Sequence, residues 1–499
     1  MAEQSLTDKT VKGVGWNSVD RLANYGIGFV VGIVLARLLS PEEYGLIGII
    51  GIFTAIFNII LDSGLSTALI RKDGVTDEDY CTVFWTNLVL SFGLTSILYL
   101  SAPLIGIFFK RPELVPYIHV MSFILVINAL SITQQTRLTK KIDFKTQTKI
   151  SLISYSLSGV IGIAMAYTGF GVWALVAQQM SARVFTTVLL WVFNKWIPAL
   201  VFSWNCFKEL FNFSWKLLIA QIIATSFTQV YNAVIGKIYS PNTLGQYTRA
   251  QQYGKLVSFS ISDVVLKVTL PVMSSIQNEE ERLKIAFRTI IKITTLVSSV
   301  LLVGMAACAD SLIYVLIGEQ WLPCVPMMRI LTLSMMILPL QNINVNMLIV
   351  QGRSDIQLIL QIIKCVLSVG PILIGIYVGI YWMLVCSVVI SWVALLLNSY
   401  YSGKKFNYTW WMQLKDIAPS LIIAVIMAAP VYLLSYLPIS MYVQLPIQVI
   451  VGFVVTIALC ERWKREEYLQ LKQIVLDNVG KIIADGMRIS NFSSSLIAA

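Results

Sequence analysis

Stretches of about 20 apolar residues, the length a helix needs to cross a bilayer, recur along almost the whole chain. "NLVLSFGLTSILYLSAPLIGIFF" and "SLIIAVIMAAPVYLLSYL" are two of them. This restricts the fold sharply, because in hydrocarbon every backbone N–H and C=O must find its partner inside the protein. Of 499 residues 57% are hydrophobic and only 13% charged, against roughly a quarter charged in a soluble protein. The sequence therefore predicts an all-α polytopic membrane protein. Breaks at polar, Pro and Gly punctuation give about 14 spans. These are 12–39, 43–70, 80–109, 114–136, 147–168, 171–194, 210–238, 243–270, 285–308, 323–350, 355–378, 380–401, 416–437 and 442–460. The opening "MAEQSLTDKTVKG" is polar and leads straight into the first span, so no cleavable signal peptide is expected.

The loops sort by charge. On one side lie Lys9, Lys12, Arg71, Lys72, Arg137, Lys140, Lys141, Lys145, Lys195, Lys208, Arg282, Lys284, Arg353, Lys404, Lys405, Lys415, Arg462, Lys464 and Arg465. On the other, "SPEEYG", "TGFG", "YSPNT", "GEQWLP", "VGI" and "LPISM" have neither Lys nor Arg, and "KRPEL" is the exception. This asymmetry places both termini in the cytoplasm. It also accounts for the net charge of +11 without a nucleic-acid partner. Seven scattered cysteines and one histidine, His119, offer no metal-ligand or nucleophile spacing, so neither a metal nor an enzyme is expected. No GxxxxGK[ST] motif points to ATP. Trp and Tyr of the inner loops are expected at headgroup level. Beyond Glu461, Leu471, Ile474, Val475, Val479 and Ile482 recur among charges, which fits an amphipathic helix on the inner surface or a solvated, partly disordered tail.

One pattern occurs twice. "ARLLSPEEYG" (36–45) and "GKIYSPNTLG" (236–245) align Arg37 with Lys237, Ser40-Pro41 with Ser240-Pro241, and Gly45 with Gly245. At the same offset "GVGWNSVDRL" resembles "NFSWKLLIAQ", and "APLIGIFF" resembles "DSLIYVLIGEQW". This implies two six-helix lobes of like orientation, a parallel pseudo-repeat. The division is 1–200 for helices 1–6, 201–402 for helices 7–12, 403–461 for two extra helices, and 462–499 for the tail. The plainer alternative is that "SP…G" is simply a favoured outer turn.

Ionisable residues inside spans are costly, about 2.5–3.5 kcal/mol each, and usually face a cavity or a partner. At about 100° per residue, the eighth span gathers Arg249, Gln252, Lys255, Asp263 and Lys267 on one side and apolar residues on the other. The first gathers Asn17, Asp20, Arg21 and Asn24; the second aligns Thr54, Asn58 and Asp62; the seventh aligns Gln221, Thr225, Gln229 and Asn232. A wide, polar, net-positive cavity suits an anionic, hydroxyl-rich ligand such as a phosphate-bearing glycan. The expected cationic contacts are Arg21, Arg249, Lys255, Lys216 and Lys267. The polar lining is Asn17, Asn24, Asn58, Gln221, Gln229, Asn232 and Gln252. Asp20, Asp62 or Asp263 would couple transport to H⁺ or Na⁺, unless the membrane potential acts on the bound charge. The plainer readings are mutual neutralisation of Asp20 and Arg21, and snorkelling of Lys216 and Lys267 to the interface. For Gln341, Asn342, Asn344 and Asn346 it is interhelical hydrogen bonding.

"KGVGWNSVDRLANYGIGFVVGIVLARLLSPEEYGLIGI", "LDSGLSTALIRKDGVTDEDYCTVFWTNL", "YSPNTLGQYTRAQQYGKL", "LPVMSSIQNEEERLKIAFRTI" and "IGEQW" together resemble the polysaccharide transporter family of the multidrug/oligosaccharidyl-lipid/polysaccharide exporter superfamily, specifically Wzx-type O-antigen or capsule flippases. The resemblance covers about residues 10 to 400. It implies a fourteen-span transporter of the bacterial inner membrane. Such a protein moves undecaprenyl-pyrophosphate-linked oligosaccharide repeat units from the cytoplasmic to the periplasmic leaflet by alternating access. It also implies membrane lipids, a polymerase and other polysaccharide-assembly proteins as partners, and cationic cavity residues for the pyrophosphate. A multidrug/cation antiporter of the same superfamily, or a membrane enzyme or scaffold of polysaccharide assembly, are the alternatives.

Overall fold

The structure is a computed structural model, and it describes residues 24, 26–470, 472 and 473. Helices follow one another as α1 (Gly26–Leu38), α2 (Pro41–Asp62), α3 (Leu65–Arg71), α4 (Asp77–Phe109), α5 (Leu114–Ser122), α6 (Ile124–Lys140), α7 (Phe144–Tyr167), α8 (Val172–Asn194) and α9 (Trp204–Ile238). Then come α10 (Pro241–Ser275), α11 (Glu280–Ala307), α12 (Ala309–Ile317), α13 (Val325–Met335), α14 (Leu338–Val350), α15 (Ser354–Leu367), α16 (Val369–Tyr377), α17 (Ile380–Gly403), α18 (Trp410–Leu433) and α19 (Met441–Arg462). No strand occurs among the described residues. Among the described residues thirteen helical stretches are long and apolar enough to cross a membrane, and α1, the described part of the first expected span, is a shorter apolar helix. This is a multi-pass membrane protein.

Several starts are locally encoded. Ser40 and Thr76 form capping boxes with Glu43 and Asp79, and Pro41 occupies the first turn of α2, where its missing N–H costs nothing. Asp143 and Thr409 cap α7 and α18. The second, fourth, tenth and eleventh spans are each two helices rather than one, because the backbone turns inside an apolar run. In the second span Ser63 (φ 50°) and Gly64 (φ 68°) are both left-handed. α12 stands as a separate helix after the ninth span.

Two compact units result, one of residues up to Arg249 with Leu316–Trp321, the other of Ala250–Val315 with residues from Leu322 onward. In the first, α7 packs on α8, α4 on α5 and α6, and α2 along α9. Its core at the basic end joins Leu69, Phe84, Trp196 and Leu210. Trp196 of the inner loop is buried against the protein, with the Arg137 guanidinium 4.6 Å from its ring centre. In "KRPEL", the exception among the outer loops expected from the sequence, Arg111 pairs with Glu42 (3.0 Å) and Glu113 (3.2 Å). In the second unit α11 packs on α18, α18 on α19, and α17 on α13, α14 and α16.

Candidate functional site

The repeated pattern meets itself. Ser240 caps α10 as Ser40 caps α2, accepting from Thr243 N–H at 3.0 Å. Each glycine then lies four residues after its proline, buried one turn into its helix. A Cβ on Gly45 would overlap the carbonyl oxygen of Pro241, and a Cβ on Gly245 would overlap that of Pro41. The two helix starts are thus clasped backbone to backbone, reciprocally, which only glycine permits. A second layer is reciprocal too. Arg37 Nε donates to the carbonyl of Leu316 (2.8 Å), near the end of α12, and Lys237 Nζ donates to that of Phe108, near the end of α4. Cations suit the negative ends of helices. "IGEQW" supplies the stitching: Trp321, fully buried, donates Nε1–H to Ala36 O (2.7 Å), and Gln320 Nε2 donates to Ala36 O (3.0 Å) and Leu39 O (3.2 Å). Gln246 Nε2 donates to Gln320 O at 2.9 Å.

Arg249 belongs to this clasp. It is buried, with its guanidinium 3.8 Å from the centre of the Tyr44 ring and 5.7 Å from that of Trp321, and the two rings meet edge to face at 5.4 Å. Tyr44 comes from "SPEEYG" and Trp321 from "IGEQW"; neither Tyr44, Trp321, Gln320 nor Gln246 is marked by composition or charge.

The remaining expected residues are dispersed. Asn17, Asp20 and Arg21 lie outside the described residues. In the first unit Asn58 accepts from Asn128 Nδ2 (2.6 Å) and donates to Thr54 O (2.7 Å), and Asp62 accepts from Ser66 Oγ (2.5 Å) across the α2–α3 break. Gln229 accepts from Asn232 Nδ2 at 2.7 Å. Asn24 is half-buried, and Lys216 and Gln221 are exposed. In the second unit Lys255 Nζ, half-buried, donates to Gln251 Oε1 at 2.7 Å. Gln252 and Lys267 are exposed and Asp263 is half-buried. The amide row bonds between helices: Asn342 donates to Ser262 Oγ (3.2 Å), Gln341 to Ser391 O (2.9 Å), and Asn344 accepts from Ser402 Oγ (2.5 Å).

At the basic end each unit carries an ion network that the sequence reading did not single out. In the first, Lys72 bonds Asp79 (3.1 Å) and Glu209 (2.9 Å), which raises its pKa above the usual lysine range, the Glu209 bond contributing most. Cys206 Sγ donates to Asp79 Oδ1 (2.7 Å); burial first, then that bond, push the thiol up to about 12. Lys140 Nζ caps α3 through the carbonyls of Leu69, Ile70 and Lys72. In the second, Arg288 grips Asp416 with two bonds (2.6 and 2.7 Å), and Tyr408 Oη donates to the same carboxylate at 2.7 Å. Burial and that carboxylate raise the Tyr408 pKa. The second unit also holds an apolar groove of about 280 Å³ lined from α10, α11, α12, α18 and α19, including Val257, Leu301, Met305, Met427, Val449 and Phe453. Gln448, in its wall, donates Nε2–H to Val431 O and Ser435 Oγ, both 3.0 Å.

Known proteins match this architecture. The family model described as "Polysaccharide biosynthesis protein" matches residues 34–326. The teichuronic acid biosynthesis protein TuaB of Bacillus subtilis is 29% identical over 355 residues, 70% of this chain and 73% of that protein. The lipopolysaccharide biosynthesis protein WzxC of Escherichia coli is 22% identical over 377 residues, 74% of this chain and 76% of that protein. Among solved structures, the lipid II flippase MurJ in an inward closed conformation superposes with a TM-score of 0.74, covering 90% of this chain and 98% of that one at 14% identity. That likeness is one of fold, and it agrees with the resemblance read from the motifs.

Proposed function

We propose, from the premise that this chain belongs to the polysaccharide biosynthesis protein family, that it is a flippase for lipid-linked glycans. It carries undecaprenyl-pyrophosphate-linked repeat units from the cytoplasmic to the periplasmic leaflet by alternating access. The names of TuaB and WzxC, both polysaccharide-assembly proteins, support the substrate class, and the MurJ-like fold supports the mode of action. The basic loops support cytoplasmic termini in a bacterial inner membrane, with the clasp then on the periplasmic side.

The observation that carries the reading is the reciprocal clasp. A passage for a bulky headgroup needs a barrier that closes tightly and parts cleanly. Two helix starts meeting glycine to carbonyl do both, since no side chains have to disengage at Gly45 and Gly245. Arg249 serves twice in this mechanism. While the clasp is closed its charge rests on Tyr44 and Trp321; as it parts, the guanidinium becomes available to phosphate. Lys255, and Arg21 outside the described residues, take the pyrophosphate, and Asn58, Gln229 and Asn232 take sugar hydroxyls. The polyprenyl chain lies in the apolar groove of α11, α18 and α19. Asp62, beside the α2–α3 break, couples H⁺ or Na⁺ to movement in this reading.

Spheroplasts test this directly. In cells lacking the chain the glycolipid accumulates out of reach of an added, impermeant glycosidase, and restoring the chain makes it accessible. Glycolipid equally accessible without the chain, together with chain-dependent extrusion of cationic dyes, would favour an antiporter.

A further inference from the structure

A cavity of about 480 Å³ in the first unit plays no part in the mechanism above. It lies at the basic end, between α4, the start of α9 and the α2–α3 break, and is lined by Trp85, Phe202, Trp204, Phe207, Phe211 and Leu218. Its wall is built rather than incidental. Trp85 donates Nε1–H to Ala199 O (2.8 Å) and Ser203 N–H donates to Thr82 Oγ1 (3.1 Å), which fix the linker before α9. Ser63, at the left-handed break, closes one end.

The first turns of α9 have three faces. Cys206, Leu210 and Ser214 are buried. Trp204, Phe207, Phe211 and Trp215 recur at helical spacing on a second face, and Trp204 is 58% exposed. Between that face and the polar one stands Lys208, exposed, its Nζ 5.8 Å from the centre of the Trp204 ring. The apolar span proper begins only at Leu218, so this segment lies at the depth where one end of a ligand is in hydrocarbon and the other among headgroups. Trp204 and Phe207 stack at 5.2 Å and 24°, and Phe207 and Phe211 at 5.4 Å and 16°. Rings whose faces are spent on one another offer edges and no platform for a sugar. The chemistry is that of a chain-lined slot with a cation at its rim.

We infer that this cavity is a binding site for an anionic glycerophospholipid of the leaflet at the basic end, with one acyl chain against Trp85, Trp204 and Phe211 and the phosphate at Lys208. The site is separate from the groove assigned to the polyprenyl chain and does not depend on the flippase reading. Native mass spectrometry of the full chain, released from nanodiscs holding equal phosphatidylglycerol and phosphatidylcholine, tests it. The most tightly held lipid is phosphatidylglycerol by about fivefold, the factor expected of one lysine beside an anionic headgroup. Lys208→Gln brings that ratio to parity while a lipid is still retained. Trp204→Ala combined with Phe211→Ala loses the retained lipid of either kind. All three side chains are exposed, and an unchanged elution volume shows that the variants are folded. Equal retention of the two lipids by the unaltered chain, or a preference that survives Lys208→Gln, overturns the inference. So does displacement of phosphatidylglycerol by an equimolar polyprenyl phosphate, which would give the site to the substrate.

Discussion

At Gly45 an added methyl would overlap the Pro241 carbonyl, whereas at Gly51, further along α2, it would meet nothing within 4 Å. Gly45→Ala should therefore cost about 1–3 kcal/mol by overpacking and lower the unfolding midpoint, and Gly51→Ala should leave it nearly unchanged. Equal midpoints for the two would mean that the clasp is not closed in the resting protein. Arg249 and Lys255 separate in the same way. Arg249→Gln gives up contacts with the half-buried Tyr44 ring and the buried Trp321 ring and should lose about 1–2 kcal/mol along with transport. Lys255→Gln should shift stability by under about 1 kcal/mol yet slow glycolipid exchange at least about tenfold, since in the proposed mechanism its charge meets the pyrophosphate. Midpoint and exchange rate measured on both variants check this. Reading azimuths along the eighth span placed these two cations on one polar side but had no access to their partners. Tyr44 and Trp321 are contributed from distant points in the chain.

The α2–α3 break belongs to the scale of elements. Gly64 has φ +68°, and a Cβ there would stand 3.2 Å from Ser214 Cβ and 3.3 Å from its carbonyl oxygen on α9. Gly64→Ala pays both for the left-handed backbone and for the crowding, about 1–2 kcal/mol from the backbone alone, and a thermal melt should show the loss. An unchanged melt would indicate that α2 and α3 straighten into one helix. Hydropathy is blind to such breaks. "NIILDSGLSTALI" is apolar enough to read as one span, while the φ values of Ser63 and Gly64 make two. The spans themselves were legible because a bilayer imposes length and apolarity on each segment separately. What Trp196 touches was not legible: aromatic residues next to a basic loop mark the interface, and only packing shows this one set against Tyr80, Phe84 and Arg137.

For the whole molecule, the repeat is the feature that joins sequence to mechanism. "SPEEYG" and "SPNTLG", 200 residues apart, could be matched letter by letter, but not that each proline carbonyl faces the other copy's glycine. The same holds for Arg37 and Lys237, matched in sequence and then found bonded to the ends of α12 and α4, themselves matched as "DSLIYVLIGEQW" and "APLIGIFF". In the proposed mechanism this barrier of two matched helix starts closes one face of the membrane. The measurement that tests this account most directly is leaflet exchange by the purified protein in liposomes. A radiolabelled polyprenyl-pyrophosphate oligosaccharide is placed in one leaflet, and its rate of exposure to an impermeant glycosidase is followed with and without an ion gradient. The account predicts exposure faster than in empty liposomes, and a rate reduced by Gly45→Ala and by Lys255→Gln. Exposure no faster than in empty liposomes, with a glycolipid drawn from the cell's own polysaccharide, would contradict it.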